Sequence, residues 1–129
     1  MSLEELKEKA IKASANAYAP YSKFKVGCVL ITSTGNIYTG CNVENASYGL
    51  TTCAERNAIS NAINAEGTIE IDKIIVFTPT PTPTPPCGAC RQVINEFGNP
   101  EIRSYCEGGD FSIYQSDDLL PHAFKLKES

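Results

Sequence analysis

At 129 residues the chain is long enough for one domain and too short for two with good cores, so a single domain over residues 1–129 is expected. With 42% hydrophobic residues, no apolar run near the ~20 residues of a membrane span, and an acidic start (Met1-Ser2-Leu3-Glu4-Glu5) unlike a secretion signal, a soluble cytoplasmic protein with no membrane partner is expected. The formal charge of −4 and the lack of a basic stripe disfavour nucleic acid as a ligand, because binding a polynucleotide requires displacing counterions along its phosphates.

Leu6, Ala10, Ala13 and Ala17 recur at helical spacing ahead of Pro20, which predicts a helix over residues 3–18. The apolar run Val26 to Ile31 is long enough only for a strand, and such runs suit strands covered on both faces. A turn cluster at 33–36 then returns the chain as a second strand over 37–43, giving an antiparallel hairpin. Ala54, Ala58, Ile59, Ala62 and Ile63 predict a helix over 53–65, and Ile74 to Phe77 a short buried strand. Residues 88–97 form the next helix, stopped by Gly98, and 102–106 and 111–114 are two strands around a glycine turn. This order predicts an α/β fold, one mixed sheet with helices on both faces. Between strand and helix, Thr78 to Pro86 reads TPTPTPTPP, an extended, polyproline-like segment that is either a stiff connector or a ligand for a proline-recognising domain.

Six cysteines accompany a single histidine, His122, which leaves little room for a nucleophile–histidine pair. Cys28, Cys41 and Cys106 fall on strands and read as inert core residues. The other three sit in two helix-opening segments, Thr52-Cys53-Ala54-Glu55-Arg56 and Pro86-Cys87-Gly88-Ala89-Cys90-Arg91. A C-x-x-C at a helix start sets two sulfurs about one turn apart, the bite of one tetrahedral zinc, and Cys53 can add a third ligand. Three protein ligands leave the fourth position open, as in catalytic rather than structural zinc sites. Glu55, two residues past Cys53, lies near the metal without being a ligand and suits proton transfer. A lone C-x-x-C would also fit a redox pair, structural zinc or buried thiols, but Cys-Ala-Glu followed by Pro-Cys-x-x-Cys matches the signature of the zinc deaminases.

Three thiolates on Zn²⁺ leave a net charge of −1, which opposes ionisation of a bound water. One charge at 4 Å contributes ~4 kcal/mol at an effective dielectric of ~20. Helix N-termini offset part of this. Arg56, with Arg91 as a second candidate, is expected to donate to ligand sulfurs and drain their charge, the alternative for each being a surface salt bridge.

Over nearly its whole length the chain resembles the small homotetrameric cytidine deaminases. The matching stretches are Ala19-Pro20-Tyr21-Ser22-Lys23-Phe24-Lys25-Val26-Gly27, Gly40-Cys41-Asn42-Val43-Glu44-Asn45-Ala46-Ser47-Tyr48, the two cysteine segments, and Leu119-Leu120-Pro121-His122-Ala123-Phe124. The resemblance implies an α/β/α sandwich with one five-stranded mixed sheet, and one Zn²⁺ per chain on Cys53, Cys87 and Cys90. It also implies a nucleoside substrate and a homotetramer with active sites shared between subunits. Asn42 and Glu44 would hold the ribose, chiefly its 3′-hydroxyl. Phe24 would pack on the pyrimidine, the backbone near Ala54 would contact the base, and Tyr48 and Phe124 would line sites shared between subunits. Glu55 would move the proton from a zinc-activated water to the leaving amine, converting cytidine or 2′-deoxycytidine to the uridine and ammonia, in pyrimidine salvage. The Thr-Pro repeat is unlike the family's usual loop. Three rivals stay open on the residues alone. A deaminase of another small amine would not need the Asn42/Glu44 pair. A nucleic-acid deaminase should show a basic, aromatic strand path. A structural zinc module would bind without turning over.

Overall fold

The computed structural model describes residues 1–126. Helix α1 (Leu3–Ala15) opens on a capping box: the Glu5 amide donates to Ser2 Oγ (3.2 Å), and the Ser2 amide donates to Glu5 Oε1 (3.0 Å). It stops short of residue 18 because Tyr18 turns away to donate its amide to the Asn42 carbonyl (3.0 Å) and to bridge Val43.

Five strands follow the predicted order: β1 (Gly27–Thr32), β2 (Ile37–Cys41), β3 (Ile71–Thr78), β4 (Glu101–Cys106) and β5 (Phe111–Gln115). They lie side by side as β2-β1-β3-β4-β5, antiparallel except for the parallel β3–β4 pair. Strand β2 ends at Cys41 rather than Val43, because the Asn42 side chain is drawn to the backbone of residues 24–26. Between β2 and β3 lies α2 (Ala54–Glu66), and α3 (Gly88–Asn95) makes the β3–β4 crossover. The last turn of α3 tightens into i→i−3 bonds, Glu96 to Val93 and Phe97 to Ile94, so the regular helix ends before the predicted residue 97. A four-residue turn of helix, α4 (Ser116–Leu119), follows β5. No described helix is long and apolar enough to cross a membrane.

The side-chain alternation of the strands sorts the core into two layers. Cys28, Leu30, Ile74, Val76 and Ile102 face α2 and α3, packing with Ala54, Ala58, Ile59, Cys90 and Ile94. Val29 and Ile75 face the other way, against Leu6 and Ala10 of α1 and Tyr105 of β4. The result is a three-layer α/β/α arrangement around one mixed sheet, as the chain order implies. Cys28 and Cys106 are buried, whereas Cys41, expected in the core, is only half-buried at the edge strand.

Two close approaches fix the parts that carry the site. A Cβ on Gly40 would lie 2.4 Å from the Ala58 nitrogen and 2.6 Å from the Ala54 carbonyl oxygen, so α2 lies directly on the backbone of β2. A Cβ on Gly108 would lie 2.3 Å from the Pro81 carbonyl oxygen, so the Thr-Pro segment is seated on the β4–β5 turn. The same segment is tied internally by its threonines: Thr78 and Thr80 share a hydroxyl bond of 2.8 Å, and Thr80 Oγ1 donates to the Thr82 carbonyl (2.7 Å).

Candidate metal centre

The N-termini of α2 and α3 meet at the C-terminal end of β3, where ligand sites gather in open α/β sheets. Cys53 is the N-cap residue of α2 and Cys87 that of α3, both with extended backbone (ψ 158° and 166°). Neither uses its side chain to cap its helix, so both sulfurs are left to point elsewhere. Cys90 stands one turn into α3 and is fully buried.

The three sulfurs lie within 4.8 Å of one another, and Cys53 Sγ and Cys87 Sγ are 3.8 Å apart. A tetrahedral ion with Zn–S bonds of ~2.3 Å sets its sulfurs about 3.8 Å apart, so this donor set fits zinc in both chemistry and span. Hydrogen bonding from Cys90, aided by Arg56 and Cys87, brings the Cys53 thiol down to about 5, while the buried Cys90 that donates is pushed up. Arg56 Nη2 donates to Cys53 Sγ at 3.6 Å, the sulfur contact expected of it. Its Nε is buried without a partner among the described residues.

Arg91, the second candidate for that task, does something else. Its Nε donates to the Pro86 carbonyl (2.7 Å) and its Nη1 to the Leu119 carbonyl (3.2 Å), which pins the segment before Cys87 to α3 and to the end of α4. Adjacency to Cys90 in sequence does not aim the guanidinium at the sulfur, because the orphan carbonyls beside it are better acceptors.

Beside the sulfurs opens a cavity of about 430 Å³, within the usual size of a small-molecule site. Cys53, Cys87, Ala54 and Glu55 form one side, and Phe24 and Asn42 another. Glu55 is buried at 6% exposure, and burial pushes its carboxyl up to about 7. Asn42 is also buried; its Oδ1 accepts from the Val26 amide (2.8 Å) and its Nδ2 donates to the Phe24 carbonyl (2.7 Å). One Nδ2 hydrogen and one Oδ1 lone pair remain for a ligand.

Glu44 and Tyr48 line a second cleft, of about 330 Å³, with Tyr21, Ser22 and Asn45; Thr51 lines both cavities. The Glu44 carboxylate accepts from the amides of Tyr21 (3.0 Å) and Ser22 (3.2 Å) and from the Ser22 hydroxyl, and these bonds hold its pKa below the usual carboxylate value. Phe124 lies outside both cavities, 70% exposed, with its carbonyl accepting from Gln92 Nε2 of α3 (3.1 Å).

Residues that the sequence did not assign to the site also face the main cavity: Thr51, Thr78, and Thr84, Pro85 and Pro86 at the end of the Thr-Pro segment. The available signal was position, since residues next to a ligand such as Cys87 cannot be far from its metal. The segment is therefore more than a connector; its last residues wall the cavity.

Comparison with known proteins shows the family. Residues 1–106 match the family described as cytidine and deoxycytidylate deaminase zinc-binding region. A cytidine deaminase of Halalkalibacterium halodurans is 42% identical over 130 aligned positions, covering 99% of this chain and 98% of that one. The crystal structure of cytidine deaminase from Burkholderia pseudomallei is 46% identical, with a TM-score of 0.91 over 96% of this chain and 100% of that one. That from Mycobacterium tuberculosis is 37% identical, with a TM-score of 0.82 over 98% of this chain and 99% of that one.

Proposed function

The chain belongs to the cytidine and deoxycytidylate deaminase family as a zinc-dependent cytidine deaminase, and from that premise we propose that it hydrolyses cytidine and 2′-deoxycytidine to uridine and 2′-deoxyuridine plus ammonia, in pyrimidine salvage. The observation that carries the reading is the meeting of three cysteine sulfurs and one buried carboxylate, Glu55, on one side of a nucleoside-sized cavity.

Cys53, Cys87 and Cys90 would hold the zinc, whose Lewis acidity would make a water easier to deprotonate at neutral pH. Glu55 accepts a proton from the attacking water and passes it to N3 as C4 becomes tetrahedral, then carries the remaining proton of the C4 hydroxyl to the departing amine, leaving the C4 carbonyl and N3–H of the uridine and ammonia. Its burial excludes bulk water from that exchange. Arg56, bonded to Cys53 Sγ, draws charge from the sulfur and so favours loss of the water proton. Arg91 contributes by holding the Pro86–Cys87 segment rather than by touching sulfur.

Phe24 packs on the pyrimidine, the backbone near Ala54 meets its edge, and Asn42 offers its remaining amide hydrogen to the ribose. Glu44 takes the 3′-hydroxyl across the boundary at Thr51. A fixed carboxylate there repels a 3′-phosphate, which makes free nucleosides the substrates and excludes nucleic acid. The exposure of Tyr48 (80%) and Phe124 (70%) supports a homotetramer in which neighbouring subunits cover them and complete the sites. Six free thiols, three of them needed reduced for zinc, suit the cytoplasm.

Replacement of the proton carrier tests the mechanism. Glu55→Gln keeps zinc and fold and loses about 10²–10⁴-fold in kcat. Near-normal turnover by zinc-loaded Glu55→Gln would refute the role.

A further inference from the structure

Residues 20–25 cross the mouth of the two clefts with every residue exposed, so apolar packing does not hold them in place. Hydrogen bonds do. Asn42 clasps one end through the Phe24 carbonyl and the Val26 amide, and Glu44 clasps the other through the amides of Tyr21 and Ser22. Between the two clasps, Lys23 adopts a left-handed backbone (φ 62°), a conformation that a lysine keeps only when its surroundings impose it. The Ser22 hydroxyl spans this turn. Its hydrogen goes to Glu44 Oε2, and its oxygen accepts the Phe24 amide at 3.0 Å. A serine hydroxyl has one hydrogen, so donation to the carboxylate fixes the direction of the second bond.

We propose that Ser22 is a positioning residue for ribose recognition: its hydroxyl holds the Glu44 carboxylate of one cleft in register with the Phe24 backbone of the other. The inference rests on the reading above, in which Glu44 takes the ribose 3′-hydroxyl and Phe24 packs on the base. Ser22 acts through those two residues and touches neither Glu55 nor the cysteines, which stand on α2 and α3. Loss of its hydroxyl frees Oε2 to rotate and releases the Phe24 amide to solvent, while Asn42 still holds the Phe24 carbonyl, so the contact with the base stays and the carboxylate loses its register. The contribution of the 3′-hydroxyl to binding then falls, and the chemistry at C4 does not.

The test is steady-state kinetics of the zinc-loaded wild type, Ser22→Ala, Ser22→Thr and Glu44→Gln on cytidine and on 3′-deoxycytidine, which lacks the hydroxyl. Ser22→Ala is expected to raise KM for cytidine roughly three- to tenfold, the scale of a charge-assisted hydrogen bond at an exposed site, with kcat within about twofold. Its kinetics on 3′-deoxycytidine should stay near wild type, and Ser22→Thr, which keeps the hydroxyl, should restore the preference. Equal losses on both substrates, a loss in kcat alone, or no change would overturn the proposal. Glu44→Gln separates the two levels of the argument. If it abolishes the preference for cytidine and Ser22→Ala does not, the role of Ser22 is wrong and that of Glu44 stands. If Glu44→Gln leaves the preference intact, the reading of Glu44 fails and the proposal for Ser22 fails with it.

Discussion

Cys53 and Cys87 each begin a helix without capping it, so neither sulfur contributes to the helix it starts. Changing Cys53 to alanine therefore removes little local helix stability, and any large effect must come through the metal. Cys53→Ala is expected to bind far less than one zinc per chain and to lose on the order of several kcal/mol of stability, since ligation and folding are linked. Full, tight zinc occupancy in that variant, measured by elemental analysis, would contradict the ligand set. The cysteines and Glu55 were legible in the sequence because metal ligation demands particular residue types at fixed spacing from helix starts. Arg91 was not, because its acceptors are the carbonyls of Pro86 and Leu119, and a carbonyl carries no sequence mark. Ser22 was hidden for the same kind of reason: its partners are a carboxylate 22 residues away and a backbone amide.

At the level of elements, the site depends on how closely α2 lies on β2. Gly40 allows the approach, with the Ala54 carbonyl and Ala58 amide sitting where a side chain would begin. Gly40→Ala forces helix and strand apart at the end of α2 that carries Cys53, Ala54 and Glu55. A loss of about 1–3 kcal/mol or more is expected from overpacking against backbone. Because the displaced end bears the site, activity should fall in the fraction that stays folded. A wild-type denaturation midpoint with full activity would contradict this account of the packing. Apolar runs marked the strands because each side of a covered strand must be hydrophobic, and this held for β1 and β3. Boundaries were less legible. Helix α1 ends early and β2 ends at Cys41 because Tyr18 and Asn42 are claimed by distant partners, which local periodicity does not record. The Thr-Pro segment was legible as extended backbone; its place on the cavity wall depends on its seat against Gly108.

Across the whole molecule, the single parallel pair β3–β4 with its α3 crossover brings the C-x-x-C helix alongside α2 at one end of the sheet. One mixed sheet was foreseeable from the alternation of elements, though not which pair runs parallel, and the homotetramer is an expectation that only the family resemblance supplied. Tyr48, Leu50 and Phe124 are largely exposed, and the proposed homotetramer would cover them. Light scattering on active enzyme is expected to give four times the chain mass of 13.9 kDa, and the mass of one chain would contradict shared sites. The central claim is that this cavity deaminates free cytosine nucleosides. Its most direct test is the loss of absorbance when zinc-loaded protein is given cytidine, 2′-deoxycytidine, cytidine 3′-phosphate or adenosine. Turnover of the first two, with the 3′-phosphate and adenosine left intact, is the expected result; no loss with either nucleoside, or a kcat/KM on the 3′-phosphate comparable to that on cytidine, would contradict it.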